Sequence, residues 1–147
     1  MDRSVGKTKH GELTLDEIAG LQPGMSEWML ALAHRIHVMY FACKAGNWDL
    51  GMYQLRGIRK ILNNAALTRP KYKASLEEFS KEHLDGLDTA MRQRSWEEFA
   101  RLIAATIEAS DRYHAEWGYP YIRYRIPEHP PSDYVLPPPE AEELKEK

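Results

Sequence analysis

Between Pro23 and Gly118 the apolar positions recur with helical period in four separate runs. In the first, Met25, Met29, Leu32, Ile36, Met39 and Cys43 follow at alternating steps of four and three, the spacing that keeps one seam turned toward a neighbouring helix. Gly46 suits the left-handed position after a helix and Asn47 suits the cap of the next, so the joint predicts an antiparallel hairpin. The second run, Trp48, Met52, Leu55, Ile58 and Leu62, predicts a helix from Trp48 to about Asn64. Gly51 and Gly57 within it would each weaken an isolated helix by roughly 1 kcal/mol relative to alanine, which points to close contact with a neighbouring backbone. Ser75 with Glu78 has the spacing of a capping box and opens the third run, Leu76, Phe79, His83, Leu87, Ala90 and Met91. Ser95 with Glu98 opens the fourth, Phe99, Leu102, Ile103, Thr106, Ser110, Tyr113, His114 and Trp117, which Gly118 and Pro120 stop.

Four stripes with short joints and no strand series predict an all-α fold, an antiparallel up-down four-helix bundle over residues 23–118. Residues 1–22 form an arm in which Leu13, Leu15, Ile18 and Leu21 predict one loose helical turn. Seven prolines between Pro120 and Pro139 exclude helix from residues 119–139. Tyr119, Tyr121, Tyr124 and Tyr134, with Ile122, Ile126, Val135 and Leu136, make this stretch too apolar for a free linker, so an extended tail packed on the bundle or on a partner is expected. The acidic end, 140–147, reads as solvated and disordered.

Composition narrows the classes. At 147 residues, with 43% apolar residues, the chain suffices for one domain with its own core. Twenty Lys plus Arg against 22 Asp plus Glu leave a net charge of -2, which supplies no field for a nucleic acid or an anionic membrane surface. The single cysteine, Cys43, precludes an internal disulfide and fits a reducing compartment. No apolar run is long enough to span a bilayer, and the polar start lacks the apolar stretch of a secretory signal, so a cytoplasmic location is expected.

Three segments carry a resemblance. Gly46-Asn47-Trp48-Asp49-Leu50, the end of the fourth helix, and Tyr121-Ile122-Arg123-Tyr124-Arg125-Ile126-Pro127 followed by Pro130-Pro131-Ser132 resemble a bacterial family of small four-helix, cytochrome c′-like proteins, over roughly residues 25 to 138. Members of that family usually carry a secretory signal and a Cys-x-x-Cys-His haem-attachment motif at the end of the fourth helix. The matching stretch here is Ser110-Asp111-Arg112-Tyr113-His114, in which the histidine alone remains. The resemblance therefore implies the bundle and the tail, and the missing thiols argue against covalently bound haem.

His114 is the leading candidate binding residue, with Ser110, Tyr113 and Trp117 on the same helix face; the cofactor it would take is a non-covalent b-type haem or a small apolar molecule. A buried imidazole bonded within the protein is the simpler structural reading. A weaker metal alternative joins His34 and His37, three apart on one helix, to Asp111 and His114, but no Glu-x-x-His pair of the di-iron bundles occurs. The first helix is apolar on a second face, through Leu30, His34, His37 and Phe41, with Arg35 and Lys44 as the formally charged residues between Trp28 and Ala45. That face, together with Tyr121 and Tyr124, predicts an interface, in a homodimer or with a larger protein subunit. Glycine-rich phosphate loops and nucleophile motifs are absent, and Cys43 lies on an apolar seam where a thiol is inert, so catalytic residues are not predicted. The expectation is a non-enzymatic accessory or interaction protein, with the His114 binding protein as the alternative.

Overall fold

The computed structural model describes residues 5–141 and 143–145, and the fold they form is mostly helical with one small sheet. The arm differs from its expected single turn. Val5–Thr8 (β1) and Gly11–Thr14 (β2) pair as an antiparallel hairpin, with Val5 opposite Thr14 and Thr8 opposite Gly11. Gly11, at φ +140°, makes the tight reversal possible. A short helix follows, Leu15–Gly20 (α1), capped by a complete box: the Thr14 hydroxyl accepts from Glu17 N at 3.1 Å and the Glu17 carboxylate accepts from Thr14 N at 2.7 Å. Leu15 and Leu21 stay largely exposed, so this helix buries little on the rest of the chain. Of the acidic end, Glu143–Lys145 forms a short 3-10 turn; residues 1–4, 142, 146 and 147 lie outside the described residues.

The long helices begin and end largely where local chemistry dictates. Met25–Lys44 (α2) closes with Gly46 at φ +80°, while Asn47 N and Gly46 N donate back to Ala42 O and Cys43 O. Asn47 then caps Trp48–Thr68 (α3) by accepting from Leu50 N at 3.2 Å. That helix runs a turn past the predicted end. Gly51 lies where a Cβ would come within 2.5 Å of Cys43 Sγ, and Gly57 lies under the Arg35 guanidinium, which donates to Gln54 Oε1 at 3.0 Å. A Cβ at either position would meet a side chain of α2, Cys43 or Arg35, so the close contact is with side chains and not with the expected neighbouring backbone.

The third helical stretch departs from prediction at both its start and its middle. It opens earlier, as a 3-10 turn Pro70–Tyr72 leading into Lys73–Phe79 (α4), because Pro70 needs no amide partner in a first turn. Ser75 is thus inside the helix and not its cap. A π-turn over Ser80–Leu84 then precedes Asp85–Arg92 (α5). The wider turn brings Leu84, at 2% exposure, inward and leaves the predicted His83 only half-buried. Trp96–Glu116 (α6) opens on Ser95, whose hydroxyl accepts from Glu98 N at 3.3 Å, and ends with Gly118 at φ +90° and Tyr119 N donating to His114 O.

The core is concentrated between α2, α3, α5 and α6. Met39, Cys43, Leu55, Ile58, Leu87, Met91, Phe99 and Ile103 are all almost fully enclosed. Residues 119–141 contain neither helix nor strand and contact the helices at several points. Tyr124 N donates to Asp111 Oδ1 on α6, Tyr124 Oη donates to Ala33 O on α2, and Pro131 is buried.

Candidate functional site

A cleft of about 400 Å³ opens along the first half of α2 and the second half of α6 and shares Ile36 and Leu62 with that core. The first half of α2 supplies Met25, Met29, Leu32 and Ala33, α4 supplies Leu76 and Phe79, and α6 supplies Thr106, Ile107, Ser110, Tyr113, His114 and Trp117. The seam of α2 thus has two fates: Met39 and Cys43 lie in the core, Ile36 belongs to both the core and the cleft lining, and Met25, Met29 and Leu32 line the cleft. The π-turn lies directly after Phe79, so the stripe that faces the cleft and the stripe that faces the core are joined by one change of helical register.

The wall is held by hydrogen bonds among its own polar groups. Trp117 Nε1 donates to Ser75 Oγ at 3.2 Å, with the Tyr72 and Trp117 rings edge to face at 4.7 Å. Tyr113 Oη donates to Glu78 Oε1 at 2.5 Å; desolvation first, then this carboxylate, holds the phenol above its ordinary pKa and keeps it a donor. Tyr124, half-buried and likewise raised by burial, closes another side through Ala33 O. Thr106 Oγ1 donates back to Leu102 O in its own helix. With these groups satisfied, the surface offered to the interior is chiefly apolar. His114 is the exception: its Nδ1 is buried and has no hydrogen-bond partner. Such a nitrogen ordinarily finds one, and here it lies without one beside an apolar space.

All four predicted ligand-site residues, Ser110, Tyr113, His114 and Trp117, line this one cleft. Leu30 and Tyr124, predicted for an interface, line it too. The other interface residues are placed differently. Phe41 is enclosed within the chain, against His37 and Tyr40, and is unsuited to an exposed contact. The two histidines face the chain's own tail, His37 Nε2 lying 2.8 Å from His129 O and His34 Nε2 lying 3.4 Å from Asp133 Oδ2. Much of the second apolar face of α2 is therefore covered from within, whereas Tyr121 stays 76% exposed. The weak metal set is dispersed, since His34 and His37 meet the tail, Asp111 binds Tyr124 N and His114 faces the cleft. Among the described residues no group of three or more His, Cys, Asp or Glu assembles.

Covalent haem does not fit this site. Among the described residues no thiol lines the cleft, and Cys43 is buried near the far end of α2, with burial pushing its thiol up to about 12. Sequence reading missed Met25, Met29, Phe79 and Arg123 as site residues. The first three were legible as apolar helical positions but not as the lining of an unfilled space. A second depression, about 560 Å³ and lined by Asn63, Lys73, Glu77, Lys81 and Asp85, is a solvated groove between α3 and α4 with no unpartnered buried polar atom. Comparison of the chain with known protein families, curated proteins and solved structures finds no match. Among the described residues no helix is long and apolar enough to cross a membrane.

Proposed function

We propose that this chain is an up-down four-helix bundle of cytochrome c′-like descent that has given up covalent haem and binds a small apolar molecule non-covalently, with His114 as the polar anchor. The carrying observation is the contrast between a cleft of about 400 Å³ walled by apolar side chains and an unpartnered buried nitrogen in that wall. A cavity of this size lies within the range of about 300–1,000 Å³ typical of small-molecule sites, which combine apolar walls with a few placed polar groups. Water is a poor occupant of so apolar a space, since each molecule needs two to four polar partners. The tail, through Tyr124, acts as a strap that completes the wall.

Titration with the neutral apolar dye Nile red tests the reading. The expected result is a fluorescence increase that saturates at one dye per chain and is lost in Ser110→Trp, which fills the space. No increase, or an increase unaffected by Ser110→Trp, contradicts it. Added haem decides the narrower version: a Soret band that His114→Ala removes assigns haem, and its absence leaves a colourless apolar ligand. An interaction surface is the second reading, favoured by Leu30, Tyr121 and Val135, each more than 70% exposed. Light scattering tests it, with a dimer that Leu30→Glu dissociates as the supporting result and a monomer as the opposing one.

A further inference from the structure

The cleft carries one more polar group. Arg123, three residues before the end of the Tyr121–Ile126 stretch and exposed, lines the same space as His114. Every ion pair formed among the described residues uses other groups, so Arg123 has no carboxylate partner there. Asp111, an acidic side chain in the tail-to-helix contact, accepts from Tyr124 N. Tyr119 N donates to His114 O at 2.7 Å, which holds the start of the tail on the last turn of α6, and both Arg123 and His114 line the cleft. Among the lining residues Arg123 is the one with a formal charge, while Met29, Leu32, Phe79 and Ile107 are apolar.

One cation in an otherwise uncharged, chiefly apolar lining describes an amphiphile with an acidic head. Resting on the binding reading above, we propose that the ligand is an aliphatic carboxylate of fatty-acid type, its head group held by Arg123 and its hydrocarbon chain laid along the apolar lining. The planar guanidinium matches the two oxygens of a carboxylate, and its partly solvated position lets it hold the head without the full cost of burying a charge. Hydrocarbon contact then supplies most of the affinity, while the cation supplies the preference for an acid.

Equilibrium dialysis of the full chain against laurate and dodecyl phosphate below their micellar concentrations, and dodecanol below its solubility limit, separates the possibilities. An uncharged apolar cleft would favour dodecanol, because an ionised head loses hydration on entering it. The expected result is laurate binding about tenfold more tightly than dodecanol, the factor that one charge-assisted contact supplies. In Arg123→Gln the two affinities converge, and Arg123→Lys keeps part of the difference. Dodecanol binding as tightly as laurate in the native chain, or a laurate preference untouched by Arg123→Gln, overturns the carboxylate assignment while the cleft reading stands. Dodecyl phosphate binding more tightly than laurate also overturns it, in favour of a phosphate head. Binding of none of the three overturns the cleft reading and this inference together.

Discussion

The two ends of the helical body are built from one set of stripes yet reach different outcomes. At one end α2 and α3 approach so closely that Gly51 is needed beneath Cys43, and Met39, Leu55, Met91 and Phe99 leave almost nothing exposed. At the other, the same α2 seam carries Met25 and Met29 into a cleft whose far wall is aromatic and hydrogen-bonded to itself. Close packing is the default of protein interiors, and voids are costly to maintain. At this end the aromatic side chains are tied to Glu78, Ser75 and Ala33 O.

The largest expected contrast lies in truncating phenylalanines at the two ends. Phe99→Ala, at a fully buried position, should lower stability by about 3–5 kcal/mol, whereas Phe79→Ala, on the cleft wall, should cost under about 2 kcal/mol because no new enclosed void forms. Urea denaturation of both variants measures the difference, and equal losses would erase the distinction between the ends. Next in size is Gly51→Ala, expected to cost about 1–3 kcal/mol through overpacking against Cys43 Sγ. Pairing it with Cys43→Ala should recover much of that loss in a double-mutant cycle. A smaller effect is expected from Tyr124→Phe, about 0.5–1.5 kcal/mol for the bond to Ala33 O, accompanied by weaker dye binding if the strap closes the cleft.

The smallest change is chemical. Cys43, with its pKa pushed up to about 12 by burial, should resist Ellman's reagent at pH 8 until the chain is unfolded. The sign follows for stability too: the raised thiol favours the folded state fully below its ordinary value of 9.0, and that contribution is lost as pH rises toward about 12. Rapid native labelling would show that the filled end opens readily.

How legible these features were in the sequence depends on their range. Gly46, Asn47, Ser95 and Gly118 act through bonds within a few residues, so the ends of α2 and α6 and the start of α3 could be read directly. The Thr14–Glu17 box was equally local and marks α1, but the hairpin before it has only Gly11 as a signal in an otherwise polar stretch. The π-turn was not legible, because Ser80–Leu84 differs from ordinary helix through how its neighbours pack and not through composition. His114, Ser110, Tyr113 and Trp117 could be grouped by helical spacing, whereas the cleft beside them could not. Its emptiness depends on side chains such as Trp117 and Tyr113 bonding across to α4, thirty-five and more positions away, instead of turning inward. Arg123 escaped notice for a related reason, since being unpaired is a property of the folded surroundings.

The chain carries its own probes of the comparison, for Met25 and Met29 line the cleft while Met39 and Met91 sit in the core. Carbon-13 methyl spectra of methionine-labelled protein, recorded during titration with dodecanol, test the central claim most directly. Saturable shifts of the Met25 and Met29 methyls with Met39 and Met91 unmoved are the predicted result. Dodecanol that leaves all four unchanged, or that moves the core pair alone, would contradict a binding cleft at the His114 end.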